Sequence, residues 1–321
     1  MNRLIRPALA VLASVILTGF ASAQTFPTKE IRLVCGFVAG SGADIIHRYF
    51  ASKLQQVSGH SFIVENRPGA AGNVASSYAA KAPPDGHTVY LVGGSSLASV
   101  PHLFKQPVVD PLKDFDSIGT ILKQGWVLLV DAKSPHKNLS ELTQHLKTKG
   151  AKASYSSATT IGTVMAELYK QRAGLDMVQV NYKTIADSLN DALDGRIDAV
   201  FGDPAFAIAQ TKAGRLRPLA ISSGERMKAM ADLPTMAEGG VQGVDLMTWW
   251  ITVVPAGTPQ GPKDQLKKWF DQVLKMPETV EFLSNIGTDV FMSEPKEAHD
   301  FLVSEIKGWG ENIRLAKIPA N

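Results

Sequence analysis

Short apolar runs rich in β-branched residues alternate along this chain with amphipathic stretches of helical period, and that alternation restricts it to an α/β architecture. The pairs run in order: Ile31 to Gly36 then Ala43 to Val57, Val127 to Val130 then Leu139 to Lys149, Met177 to Val180 then Ile185 to Leu193, Ala199 to Gly202 then Ala205 to Ala213. Pro218 to Ser222 adds a run before the loop holding Leu233-Pro234-Thr235, and Trp249 to Val254 adds another. The turns carry the residues such connections need. Val64-Glu65-Asn66-Arg67-Pro68-Gly69-Ala70-Ala71-Gly72-Asn73 leads from a strand at Phe62 to Glu65 into a small-residue helix, Gly72 to Lys81. Lys81-Ala82-Pro83-Pro84-Asp85-Gly86 then turns the chain into a strand at Thr88 to Val92. With 45% hydrophobic and 20% charged residues, the chain has the material for a packed core.

The first 23 residues read as an export signal: Arg3 and Arg6 form a basic start, Pro7 to Phe20 an apolar run, and Ala21-Ser22-Ala23 a cleavage site. The mature chain is expected to begin at Gln24 in a bacterial periplasm. Cys35 is the only cysteine, so no internal disulfide and no lipid attachment at the cleavage point are expected. The remaining length suits two domains. We place one at residues 24–123 together with 246–321 and the other at 124–245, because turn-rich segments near Lys123-Gln124-Gly125 and Gly240 to Thr248 mark two crossings. Two α/β lobes joined by two crossings enclose a cleft with a hinge, a usual place for a small ligand. A formal charge of +3, with no basic run interleaved with aromatics, excludes a nucleic-acid surface. The histidines show no zinc spacing, so neither a metal nor a cofactor is expected.

Ligands of open α/β sheets sit beyond the carboxyl ends of strands, where helix N-termini favour anions. One such loop is Phe37 to Asp44, whose candidates are Val38, Ala39, Gly40, Ser41, Gly42 and Asp44. Its glycines allow close backbone approach; Gly-x-Gly without a third glycine does not make a dinucleotide site, and Asp44 also suits a helix cap. Gly93-Gly94-Ser95-Ser96 follows a strand and offers the hydroxyls of Ser95 and Ser96, but lacks the Gly-x-Ser-x-Gly order of a nucleophile elbow. Ser156 to Gly162, read as a loop after a strand at Lys152 to Tyr155, contributes Ser156, Ser157, Thr159 and Thr160. Asp203, at the end of the run Ala199 to Gly202, can reach the cleft or cap the next helix. Trp249 and Trp250 read as core. No nucleophile, base and orienter can be assembled, so catalysis is not expected.

Read in order, Phe26-Pro27-Thr28-Lys29, Glu65 to Ala70 with Gly72-Asn73, Lys81 to Gly86, Tyr182-Lys183, Gly195-Arg196-Ile197-Asp198, Lys212 to Arg217, Leu233-Pro234-Thr235 and Pro255-Ala256-Gly257-Thr258-Pro259 resemble one family. It is that of the solute-binding proteins of the tripartite tricarboxylate transporter system, the Bug periplasmic receptors. The resemblance implies a two-lobed, type II periplasmic-binding-protein fold, each lobe a mixed sheet flanked by helices, with the ligand cleft at the hinge. It implies capture of a small carboxylate, delivery to inner-membrane permease subunits, and a monomer. It also places the ligand against loops matching residues 38 to 44, 95 to 96 and 156 to 160, with the loop after Tyr182-Lys183, hence Thr184, nearby. The chain departs from the family at Gly36, Val38, Ala39 and Ser41, where prolines or glycine are usual, at Thr184, where glycine is usual, and in its shorter third loop. Val38 and Ile251 would make the pocket more apolar, suiting an aromatic or branched acid over a short dicarboxylate. A periplasmic sensor presenting its closed form to a two-component signalling receptor is the alternative use of the same architecture.

Overall fold

The computed structural model describes residues 26–320, so the expected export signal lies outside the described residues. The chain opens with strand β1 (Ile31–Cys35), helix α1 (Gly42–Ser58), strand β2 (Phe62–Asn66), helix α2 (Asn73–Ala80), strand β3 (Thr88–Gly93), helix α3 (Gly94–Leu103) and the long strand β4 (Phe115–Gly125). After Trp126 it enters a second sheet through β5 (Val127–Asp131), α4 (Leu139–Lys149), β6 (Ala153–Ser157), α5 (Thr160–Ala173), β7 (Met177–Asn181), α6 (Leu189–Leu193), β8 (Ala199–Gly202), α7 (Pro204–Lys212) and β9 (Leu216–Ile221). It returns along β10 (Met247–Pro255) and finishes with α8 (Gln260–Leu274), α9 (Pro277–Asn285), β11 (Asp289–Val290) and α10 (Pro295–Leu315).

Both sheets are mixed. The first has the order β11-β4-β10-β3-β1-β2, and the second β7-β6-β8-β5-β9. In the first, β2, β1 and β3 are parallel, whereas β10 runs antiparallel to both β3 and β4. In the second, β7, β6 and β8 are parallel, and β5 is antiparallel to β8 and β9. Parallel strands need their crossover helices on the sheet faces, and both faces are filled accordingly. Ile31, Leu33, Val89 and Leu91 face α1 and α8, where Phe50, Leu54, Trp269 and Phe270 are buried. Val34, Tyr90 and Trp249 face the other way, in an apolar cluster that continues through Trp309 of α10 to Tyr155, Tyr169 and Phe201 of the second sheet.

Two regions differ from the sequence expectation. No strand is expected at β4 from the sequence, which marks only a crossing near Lys123-Gln124-Gly125; Gly119, Lys123, Gln124 and Gly125 interrupt its apolar pattern. It forms because pairing with β10 along its whole length, with two register shifts, supplies the order that its own pattern lacks. The stretch from Gly93 to Ser96 was expected as a loop, yet β3 passes directly into α3. Gly94 permits that junction, since a Cβ there would collide with atoms of the Trp249 indole.

The parallel strands place their carboxyl ends on one edge of each sheet. Gly125 ends β4 on that edge of the first sheet, paired with Met247, and Val127 begins β5 on that edge of the second, paired with Gly202. One residue, Trp126, therefore carries the chain between the two edges. Its N–H donates to Ser222 Oγ at 2.8 Å, its carbonyl accepts from the Ser222 N–H at 2.8 Å, and the Leu246 N–H donates to the Ser222 carbonyl at 2.8 Å. Outgoing and returning strands are thus hydrogen-bonded together at the crossing.

Candidate functional site

Among the helices that begin at the carboxyl ends of the parallel strands are α1 after β1, α3 after β3 and α5 after β6. An α-helix leaves its first N–H groups without intrahelical acceptors, and their partial positive charge favours an anion. At α1, Ser41 caps the helix by accepting from the Asp44 N–H at 3.2 Å, and its carbonyl takes the Ile45 N–H at 3.0 Å. The N–H groups of Gly42 and Ala43 lie between these and have no acceptor among the described residues. At α5 the pattern repeats: Thr159 Oγ1 accepts from the Gly162 N–H at 3.2 Å and the Thr159 carbonyl accepts from the Thr163 N–H at 3.0 Å. This leaves Thr160 and Ile161. At α3 the cap is Gly93, which has no side chain to offer.

The candidate side chains fall into two groups. Val38, Ala39 and Gly40 are exposed, Val38 by 61%, and Gly40 adopts φ 81°, a conformation glycine takes without steric cost. Asp44 lies beneath them, only 2% exposed, and works inward: it accepts from the Gly40 N–H at 2.8 Å, from Arg48 Nε at 2.8 Å and from Asn66 Nδ2 at 2.8 Å. Burial alone would raise its pKa, but these three donors outweigh it and hold the carboxyl down at about 2. Asp44 therefore braces the loop from below, and Asn66, the last residue of β2, is part of the brace, donating also to the Phe37 carbonyl at 3.1 Å.

Most of the hydroxyls are engaged within the fold. Ser95 is buried, with Oγ donating to Thr248 Oγ1 at 3.1 Å, while Ser96 is half-buried in the first turn of α3. Ser156, expected in a loop, belongs to β6. That strand runs two residues further than its apolar pattern suggests, because Ser156 and Ser157 pair with Val180 and Asn181 of β7. Ser156 is fully buried and donates to Ser188 Oγ at 3.0 Å, so its hydroxyl is engaged within the fold. Ser157 Oγ donates to the Thr159 carbonyl at 3.1 Å, fixing the turn that opens α5. Thr184 is exposed and closes a capping box with Asp187. Asp203 caps α7, accepting from the Phe206 N–H at 2.9 Å, and desolvation pushes its pKa upward against that bond.

Aromatic residues complete the surroundings. The Phe37 ring, 42% exposed, stacks on Trp250 with centroids 6.4 Å apart, and His47 meets the same indole edge-on at 5.5 Å. Trp249 is fully buried and donates to Glu305 Oε2 at 3.1 Å. Ile251, expected to line the pocket, is fully buried in the core instead, since it points to the face of β10 opposite Trp250. The sequence reading also passed over Trp126. Its signal was an aromatic residue between a glycine and an apolar strand, at the proposed crossing.

Lysine and arginine are absent from residues 37–44, 93–97 and 156–162. An anion at this edge would rest on backbone N–H groups rather than on a cationic clamp. A separate groove of about 1170 Å³ lies along α2, lined by Arg32, Arg67, Asn73, Tyr78 and Lys81 among others. Arg32 and Arg67 pair there with Glu65, and Arg67 also lies over the Tyr78 ring. The motif Glu65 to Asn73 thus shapes this groove and braces the first loop.

Comparison with known proteins gives the fold and the family. A UPF0065 protein of Bordetella bronchiseptica is 30% identical over 257 residues, which cover 80% of this chain and 76% of that one. The solved structure of R. palustris Rpa4515 with adipate has a TM-score of 0.84 at 27% identity, covering 92% of this chain and 100% of that one. The periplasmic binding protein BugD has a TM-score of 0.81 at 25% identity, with the same coverage. The two-lobed periplasmic-binding-protein fold is therefore shared with receptors of solutes. With a family model matching residues 46–317, the chain belongs to the tripartite tricarboxylate transporter family receptors.

Proposed function

We propose that this chain captures a small organic acid between its two lobes and delivers it to the inner-membrane permease subunits of a tripartite tricarboxylate transporter. The observation that carries the reading is the pair of matched helix starts. α1 and α5, one from each sheet, each leave two N–H groups unclaimed on the edge where the sheets meet, with no cationic side chain in the loops. A carboxylate satisfies such groups through charge-assisted bonds. The adipate bound by the R. palustris relative supports the ligand class. In this reading the signal is removed after Ala23, and the mature chain works as a periplasmic monomer. One lobe comprises residues 24–123 with 246–321, and the other residues 124–245.

The exposed Val38 and the Phe37–Trp250 stack favour an acid with an aromatic or branched body. The test is a thermal-shift screen of residues 24–321 against a carboxylate library, followed by calorimetry, because a ligand bound only to the folded state raises the melting temperature. The expected result is a rise with aromatic or branched acids. Binding of succinate-like acids with none of aromatic acids would overturn the apolar preference, and silence across the library would overturn the receptor reading. Loss of acid uptake on deletion tests delivery.

A further inference from the structure

Trp126 holds a polar group that the fold does not use. The residue is only 8% exposed, and its Nε1 has no hydrogen-bond partner among the described residues. A buried indole N–H ordinarily finds an acceptor, so a native structure that leaves one without a partner calls for an explanation. The neighbourhood of the group supplies one. A Cβ added at Gly162 would stand 2.9 Å from Trp126 Nε1, 3.2 Å from the Phe201 carbonyl, and in collision with Ser157 Oγ. Nε1 therefore lies against the first turn of α5, a helix of 14 residues whose Thr160 and Ile161 N–H groups are also unclaimed.

We propose that Trp126 is a ligand-contacting residue of the interlobe site, its indole N–H donating to the carboxylate, or to a water bound to it, at the start of α5. This rests on the reading of the protein as an acid receptor and adds a side-chain donor to the backbone groups. The neighbouring groups have other partners. Ser157 Oγ is turned to the Thr159 carbonyl, and the Trp126 backbone is committed to Ser222. Gly162 keeps the approach clear, since any side chain there would fall between the indole and the serine. The position also suits the task. Trp126 sits on the crossing itself, and its donor lies against the first turn of α5 in the second sheet's half of the molecule.

The test compares wild type with Trp126→Phe, which keeps an aromatic ring and removes the donor, by calorimetry with adipate and benzoate as probes. Loss of a hydrogen bond to a charged group is expected to weaken the probe that binds by about ten-fold or more. The melting temperature without ligand should move little. A wild-type protein that binds while Trp126→Phe binds equally well overturns the role of Trp126 and leaves the receptor reading standing. A wild-type protein that binds neither probe counts against both. Should the variant fold poorly, a crystal structure of wild type with the bound acid decides. Nε1 within about 3.5 Å of a carboxylate oxygen, or of a water that contacts one, supports the assignment, and an indole N–H with neither neighbour overturns it.

Discussion

The starts of α1 and α5 offer the same pair of N–H groups in opposite settings. At α1 the loop stands away from the body: Val38, Ala39 and Gly40 are exposed, and a Cβ at Gly42 would meet nothing within 4 Å. At α5 the loop is built in: Ser157 closes its own turn, and Gly162 is crowded by Ser157, Trp126 and Phe201. The difference teaches that a receptor can present one anion-binding device from a compliant wall and a rigid one. In the proposed receptor the packed wall would fix where the acid group goes, and the open wall would adapt to the rest of the molecule.

Substituting the two glycines tests that contrast most severely. Gly42→Val should weaken acid binding by more than about 100-fold, since a branched side chain would stand where the ligand meets the backbone, with the melting temperature nearly unchanged. Calorimetry together with a thermal melt reads both, and retained affinity would remove the α1 start from the site. Gly162→Ala should act on the fold as well, costing about 1–3 kcal/mol in denaturant unfolding, the usual range for overpacking a filled site. An unfolding midpoint equal to wild type would mean that the second wall is as compliant as the first.

A smaller effect is expected beneath the first loop. Asp44 has a folded pKa of about 2 against an ordinary 3.8, so the stability it contributes is complete above the unfolded value and is lost as pH falls through the folded one. Asp44→Asn should flatten acid unfolding between about pH 4 and pH 2. A variant whose acid limb superimposes on that of wild type would show that the brace carries no weight. The smallest effect is assigned to Thr184→Ala. Its hydroxyl caps a short turn at the surface, so about 1 kcal/mol or less of stability is at stake and affinity should change less than two-fold. A ten-fold loss of affinity would return Thr184 to the site.

Much of this fold was legible because its central strands are buried on both faces and read as continuous apolar runs; Val127 to Val130 and Thr88 to Val92 are examples. β4 was not, since its order comes from β10, more than a hundred residues away in sequence. The site was legible as loops but not as atoms. Glycines and hydroxyls marked the strand ends, yet whether a hydroxyl faces a ligand or its own backbone depends on where the strand stops, and two extra residues of β6 turned Ser156 inward. Trp126 was hidden for a related reason: in sequence it is one more aromatic residue among apolar neighbours, and only the meeting of two sheets leaves its N–H idle.

The passage between the sheets by a single residue has a mechanical consequence. When two lobes rotate about their crossing, a group far from the axis travels a long arc and a group on the axis scarcely moves. Trp126 stands at the crossing, with its indole N–H against the start of α5. In the proposed receptor, a contact made there would be present before the lobes draw together and would persist until after they part. It would govern how quickly an acid is first held, and contacts farther from the axis would govern how long it stays.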